Sequence, residues 1–286
     1  MESDKTILLP LDGSDNSLTA LLPARSIAAL LDLHIHIIHI SEGPLSQEEI
    51  IQKIKINPEE LPRFIINHKS GDPAQIILDE AKSASYIVMC THGTGSNKKE
   101  LTGDVATKVV ENSNIPVLLV RPDTVVIKEN DLWKPKRVLM PVNGSPGSAQ
   151  ALDAVIEIVK KTAANIDVMH IFTEKTAKES NVTAPYYEDY PQHEWPFWSK
   201  EFLKRFCPCF IKHVKINLSL STGDPAKEII SFARENSNDL IVLAWHGKLF
   251  PPHAYTLRKI IEEVPCPILL TRIVQEIEYI KPHPVR

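Results

Sequence analysis

Residues 88–105 read V-M-C-T-H-G-T-G-S-N-K-K-E-L-T-G-D-V. The apolar run Tyr86–Cys90 suits a strand covered on both faces. Thr91–Lys99 follows as a polar loop in which Gly93 and Gly95 let the chain bend and let backbone approach a ligand closely. A second turn at Gly103 leads into Val105, Ala106, Val109 and Val110 at helical spacing. The free N–H groups of such a helix start attract anions. Strand, glycine loop and helix together have the layout of a phosphate cradle. Asp104 departs from it, because a phosphate site would favour a hydroxyl there.

Outward from this stretch, the chain repeats itself. Ile7-Leu8-Leu9-Pro10-Leu11-Asp12-Gly13-Ser14 returns as Val138-Leu139-Met140-Pro141-Val142-Asn143-Gly144-Ser145 at an offset of 131. Gly71-Asp72-Pro73-Ala74 returns as Gly223-Asp224-Pro225-Ala226 at an offset of 152, and Ile115–Leu119 as Cys266–Leu270 at 151. The jump in offset places an insertion of about twenty residues inside the second copy. It falls at about 173–210 and gathers Tyr186, Tyr187, Tyr190, Trp195, Phe197, Trp198, Phe202, Phe206 and Phe210.

Each copy alternates strands with single helices, which implies a parallel sheet with helices on both faces. In the first copy strands are expected at Lys5–Leu11, Leu33–Ile40, Arg63–His68, Tyr86–Cys90 and Pro116–Val120. Helices are expected at Ser14–Leu31, Pro73–Ser83 and Leu101–Asn114, with a shorter one around Gln47–Ile54. The second copy opens at Pro135 and closes on Pro267–Thr271. Residues 1–122 therefore read as one domain, 123–134 as an exposed polar link, 135–274 as a second domain and 275–286 as a tail.

Composition narrows the class. With 286 residues and 43% hydrophobic content the chain can bury two cores. Residues 1–130 hold 12 Lys+Arg against 18 Asp+Glu, a net of −6, and the rest hold 20 against 18, a net of +2. Neither half has the basic stripe of a nucleic-acid binder. The start, MESDKTILLPLDGSD, is not patterned as a signal peptide, and no apolar run is long enough to span a membrane. Cys90, Cys207, Cys209 and Cys266 show no disulfide framework and suit a reducing, cytoplasmic setting.

Pro10–Ser14 after the first strand, Gly71–Ala74 before a helix, Thr91-His92-Gly93 after the fourth strand and the closing Asn114–Val120 make both copies resemble universal stress protein domains. The resemblance covers nearly the whole chain. It implies two tandem open five-stranded, Rossmann-like parallel sheets of the adenine nucleotide alpha hydrolase-like type. It also implies that they pair through their last strands into an intramolecular pseudo-dimer, which could assemble further into a homo-oligomer. ATP-binding members carry Gly, two residues, Gly, nine residues, then Gly followed by Ser or Thr. Here Gly93 and Gly103 keep the long spacing, while Cys90 and Asp104 replace the first glycine and the final hydroxyl.

The resemblance thus implies a site for ATP or AMP in the first copy, built from Pro10, Leu11, Asp12, Gly13, Ile40, Thr91, His92, Gly93, Gly103, Asp104 and Val105. Asp12 would accept from a ribose hydroxyl or adenine amine, and Ile40 would offer its backbone to the base. A carboxylate ~4 Å from a phosphate costs on the order of 1–4 kcal/mol. Asp104 could escape this by holding Mg²⁺, or the ligand could carry fewer phosphates. Read structurally, Asp104 is an acid in the first turn of a helix. In the second copy Val142, Asn143, Gly144, His246 and Gly247 are the weaker counterparts. That loop is three residues shorter, has no second glycine and carries Pro251 and Pro252, so this copy reads as the structural or interaction half.

Other clusters have plainer readings. His34 and His36 share one strand face and His39 the other, which fits alternation with solvent exposure better than a metal site. Cys207-Pro-Cys209 fits no common zinc spacing, and His246 and His253 lack a carboxylate or thiol at metal spacing. There is no GxxxxGK[ST] loop, no nucleophile elbow and no residue to name as catalytic. Three functions follow: a nucleotide-responsive stress protein, a nucleotide-free scaffold of the same fold, or a slow ATPase.

Overall fold

The computed structural model describes residues 6–54, 64–93, 103–124, 128–129, 132–143, 148, 150–172, 214–249 and 254–273. The first copy runs β1 (Thr6–Pro10), α1 (Asp15–Leu18), α2 (Leu21–Leu31), β2 (His34–Ile40), α3 (Gln47–Ile54), β3 (Phe64–Lys69), α4 (Pro73–Glu80), β4 (Ala84–Cys90), α5 (Asp104–Asn112) and β5 (Val117–Val120). A small hairpin, β6 (Lys128–Glu129) and β7 (Leu132–Trp133), leads to the second copy. That copy runs β8 (Arg137–Val142), α6 (Gln150–Thr162), β9 (Asn165–Phe172), β10 (Ile216–Thr222), α7 (Pro225–Glu235), β11 (Leu240–Trp245), α8 (Tyr255–Glu263) and β12 (Ile268–Arg272).

The strands form one ten-stranded sheet in the order β10-β9-β8-β11-β12-β5-β4-β1-β2-β3. Every pairing within a copy is parallel. The single antiparallel pairing of this sheet joins the copies, with Ile268 opposite Leu119, Leu269 opposite Leu118 and Leu270 opposite Val117. Leu118 and Leu269 occupy the same place in their own copies, so an approximate two-fold axis passes between them. This is the intramolecular pseudo-dimer expected from the family resemblance.

Several sequence landmarks prove to be helix-entry devices. Asp72 accepts the N–H of Gln75 at 2.9 Å and Asp224 that of Lys227 at 3.0 Å, each as the N-cap of a helix whose first residue is proline. Gly71 and Gly223 precede them at φ of 136° and 144°. The repeated Gly-Asp-Pro-Ala motif is thus explained by helix initiation, and no ligand is needed to account for it.

The single helix expected over Ser14–Leu31 is broken at Thr19–Ala20. Pro23 has no N–H to offer the carbonyl of Thr19, and the Thr19 N–H and hydroxyl both turn back to Asn16 O, at 3.1 and 2.6 Å.

The described residues form two cores, but not one per copy. Each lies on one face of the common sheet and draws on both copies. Residues of α2, α3 and α6 contribute to one, and residues of α4, α5, α7 and α8 to the other. The cause is the β5–β12 junction, which makes the two sheets continuous and lets α2 pack beside α6. Tyr86, 8% exposed, donates its hydroxyl to the carbonyl of Ala154 across this junction at 3.0 Å.

The link between the copies also differs from a simple exposed tether. Trp133 is 2% exposed, its N–H donates to Ser26 Oγ at 2.8 Å, and it packs in the core beside α2. The polar run before it hid this anchor.

Reciprocal arginines close the seam at both ends. Arg272 Nη1 donates to the carbonyl of Glu111 at the end of α5, at 3.0 Å. Arg121 Nη1 donates to the carbonyl of Glu262 near the end of α8. Arg121/Arg272 and Glu111/Glu262 are repeat equivalents at an offset of 151. Each cation therefore satisfies carbonyls that the opposite helix leaves unpaired and lies at the negative end of its dipole.

Two outcomes test the seam. Trp133→Ala should lower the unfolding free energy by about 3–5 kcal/mol in denaturant melts, the range for emptying a buried aromatic site. Tyr86 has its pKa pushed up to about 12 from 10.0 by burial and by the nearby Glu157 charge. Its contribution is therefore complete below pH 10 and is lost as pH rises towards 12, a loss of about 2–3 kcal/mol. Burial likewise pushes the Cys266 thiol up to about 12, so part of the alkaline loss is not due to Tyr86. Tyr86→Phe should flatten the unfolding free energy measured between pH 10 and 12 by the tyrosine share, and an unchanged slope would refute the assignment.

Candidate functional site

The carboxyl ends of β1 and β4 meet in the first copy, where open parallel sheets bind ligands. Asp12 leaves β1 exposed to solvent, and its Oδ1 accepts from the N–H of Ser14 at 2.9 Å and from its hydroxyl at 2.6 Å. Ser14 Oγ in turn accepts the N–H of Ser17 at 3.1 Å and caps α1. Oδ2 of Asp12 lies so close to Gly93 that a Cβ there would run into it. The two residues singled out in separate parts of the sequence, Asp12 and Gly93, are therefore neighbours.

Gly13 sits at φ +84°, and a Cβ on it would lie 2.7 Å from the carbonyl oxygen of Lys53 near the end of α3. That close approach brings α3 to the rim of the crevice.

Thr91 ties the base of the glycine loop. It is 1% exposed, its N–H donates to Val120 O at 2.9 Å, and its own carbonyl accepts the N–H of Gly103 at 2.8 Å. His92 is half-buried with Nδ1 2.9 Å from the Thr91 hydroxyl. Gly103 is the N-cap of α5, and Asp104 is the first helical residue, exposed. Residues 94–102, including Gly95, Lys98 and Lys99, lie outside the described residues.

Among the other candidates, Ile40 ends β2 at the same edge, while Pro10 is half-buried at the end of β1. The side chain of Leu11 is buried in one core, and that of Val105 packs half-buried against the other. Cys90 is buried, and burial holds its thiol above its usual pKa of 9.0, with Asp12 pushing the same way. His92 and Thr91 backbone bonds and the Thr19 hydroxyl only partly oppose this. Burial thus disfavours the thiolate, the reactive form of a cysteine.

The histidines on β2 do not simply alternate into solvent. His34 is exposed, but His36 is half-buried and its Nε2 accepts from Asn67 Nδ2 at 2.9 Å. His39 is 2% exposed and stacks on His68. Its Nδ1 lies 2.8 Å from the carbonyl of Leu11, and only a protonated Nδ1 can bond there. His170, at the same place in the second copy, bonds Val142 O at 2.9 Å. Each histidine thus fixes the backbone just before Asp12 or Asn143. This is a positioning role missed in the sequence, although the 131 offset of His39 and His170 was there to find it. Among the described residues no group of three or more His, Cys, Asp or Glu is placed to hold a metal.

The second copy uses its corresponding edge differently. Val142 is buried and Asn143 is exposed at the end of β8, while Gly144 lies outside the described residues. His246 is exposed, and Gly247 turns at φ +82° with the stem of Arg272 packed flat upon it. Leu249 is buried in the core, and its N–H donates to Glu111 Oε1 of the first copy at 2.7 Å. The helix after this loop starts from Ala254 in a left-handed conformation, φ 55°, where the first copy uses Gly103 in an extended one. His253, Cys207, Cys209 and the aromatic insertion lie outside the described residues.

An open α/β sheet of this strand order, duplicated and joined by its last strands, defines a Rossmann-like fold class. The universal stress protein family model matches residues 45–121 and 134–272, and the chain belongs to that family. A universal stress protein of Methanocaldococcus jannaschii is 34% identical over 139 residues, covering 41% of this chain and 82% of its own length. One from Thermus aquaticus is 32% identical over 135 residues, covering 41% of this chain and 98% of its own length. The crystal structure of a universal stress protein from Archaeoglobus fulgidus superposes with a TM-score of 0.64 at 19% identity, covering 95% of this chain and 99% of that one. Among the described residues no helix is long and apolar enough to cross a membrane.

Gly13→Ala tests the rim. A non-glycine residue at φ +84° whose Cβ also meets a backbone oxygen should cost about 1–3 kcal/mol of stability. Thermal unfolding at pH 7 reads this directly, and a variant as stable as the parent would show that α3 does not press on Gly13.

Proposed function

We propose that the chain is a stress-response protein that binds one adenine nucleotide, ATP or AMP, in its first copy and signals by whether that site is filled. The observation that carries this is the meeting of the Asp12 carboxylate with Gly93 at the carboxyl edge, beside a helix start at Gly103. Family membership supports it, as does the spacing of Gly93 and Gly103. The backbone N–H groups at the start of α5 supply the anion-attracting end. Asp12 offers an acceptor for a ribose hydroxyl or base amine, and Ile40 offers backbone to the base.

Asp104 sets the ligand's charge. A carboxylate at the first residue of α5 suits the helix dipole but opposes a triphosphate. AMP, or ATP held with Mg²⁺ by Asp104, relieves the conflict. On this reading binding is the activity, and any ATP hydrolysis is slow. The carboxyl edge of the second copy is committed to the seam through Leu249 and Arg272, which supports a stoichiometry of one.

A second reading is a nucleotide-free scaffold of the same fold. Asp12 favours it, since both a backbone N–H and a hydroxyl of Ser14 already occupy one of its oxygens. Mass spectrometry of small molecules released on denaturation, followed by calorimetric titration of AMP, ADP and ATP with and without Mg²⁺, separates the two. Nucleotide binding predicts one site per chain, lost in Gly103→Val. Asp104→Ser should tighten Mg²⁺-free ATP by about tenfold, as removal of one opposing charge near a phosphate implies. No released nucleotide and no heat at millimolar ligand would establish the scaffold instead.

A further inference from the structure

Helix α5 is gripped at both ends by different copies. At its start, the N–H of Gly103 donates to Thr91 O at 2.8 Å, tying the helix to the end of β4, and the N–H of Thr107 donates to Gly103 O at 3.0 Å in the helix's first turn. At its end, Glu111 Oε1 accepts the N–H of Leu249 at 2.7 Å, and the Glu111 carbonyl accepts from Arg272 at 3.0 Å. Arg272 also reaches the side-chain oxygen of Asn114. The inner face of α5, with Ala106, Val109 and Val110, is buried in the shared core. A helix of nine residues is about 13 Å long, too short and too closely packed for its ends to shift independently.

The grip on α5 is heavier than its symmetry counterpart. Arg121 meets the Glu262 carbonyl but also holds Asp123, at the start of the link, in a forked ion pair. Arg272 instead spends both guanidinium contacts on the first copy and packs its stem on Gly247, where a Cβ would lie 2.7 Å from its Cδ. The turn Gly247–Leu249 and Arg272 therefore meet the end of α5 as one packed surface.

We propose that this turn and Arg272 are positioning elements for the crevice of the first copy, so that the state of the crevice and the state of the second copy's loop are linked through α5. Reciprocity follows from thermodynamic linkage: whatever alters the start of α5 alters the protection of the loop, and the reverse. The proposal rests on the nucleotide reading only for what fills the crevice.

Amide hydrogen exchange on the full chain without added ligand tests it, in Glu111→Ala, Arg272→Met and Asp104→Ser. The expected result is that the first two variants speed exchange by about tenfold or more at Gly103 and Thr107 as well as at Leu249. The amides of Ile87 and Ile241, which donate to Pro116 and Pro267 within the sheet, should stay within about twofold. Asp104→Ser should in turn change exchange at Leu249. Faster exchange at Leu249 alone overturns the proposal. So does acceleration of all these amides together, both in Glu111→Ala and in Arg272→Lys, the milder change used if Arg272→Met fails to fold. Calorimetry with AMP on the unaltered chain is a separate arm: no heat there retires the nucleotide and leaves the coupling through α5 to be decided by the exchange rates alone.

Discussion

The antiparallel pairing of β5 with β12 is the constraint on which the rest of the molecule depends. Five parallel strands alone would end in an exposed edge of unpaired N–H and C=O groups next to the strand that leads into the glycine loop. Joining two copies there removes that edge from both. It also merges the apolar faces, so that each core is built by both copies and neither half presents a complete apolar surface of its own. Separating the copies would expose Leu118, Leu269 and their neighbours and leave the Tyr86 and Trp133 contacts unmade.

The same pairing fixes which ends meet. Because the two sheets run in opposite directions at the seam, the carboxyl edge of each copy lies beside the terminal turns of the other copy's last helix. Arg121 and Arg272 exploit this by meeting helix carbonyls that would otherwise need water. After duplication the two ends were free to diverge. The loop after β11 is shorter and turns its Leu249 N–H toward Glu111, whereas the loop after β4 has the longer Gly93 to Gly103 spacing. The second copy thus uses its edge to hold the pair together, while the first copy's edge is not drawn into the seam in this way.

Much of this was legible in the sequence because it rests on local rules. The duplication, the strand and helix alternation and the Gly-Asp-Pro-Ala helix entries follow from residue types at fixed spacings. What escaped depends on distant contacts. Trp133 sits after a polar run, and only the groove beside Ser26 makes it an anchor. His39 looked like one more alternating residue, yet the carbonyl it holds belongs to Leu11, twenty-eight positions earlier. Pro23 could have warned of the break between α1 and α2, since a missing N–H is a local fact. In the candidate site, Asp12 and Gly93 were identified separately, but that they touch is a property of the β1–β4 pairing.

Asp12 shows why motif and function must be weighed apart. An aspartate two residues before a serine N-cap accepts that serine's N–H and hydroxyl whether or not a ligand exists. Its presence after β1 is therefore explained by the start of α1 alone. Asn143 in the second copy could serve the same turn without a charge. What the turn does not require is the approach of Oδ2 to Gly93, because any residue with a side chain at 93 would displace it. Gly93 is not among the residues of positive φ, so its lack of a side chain answers to space rather than to torsion. The space it preserves is at the mouth between β1 and β4. That is a demand of the Asp12–Gly93 contact and not of helix initiation, and it is the physical reason to look for a ligand there.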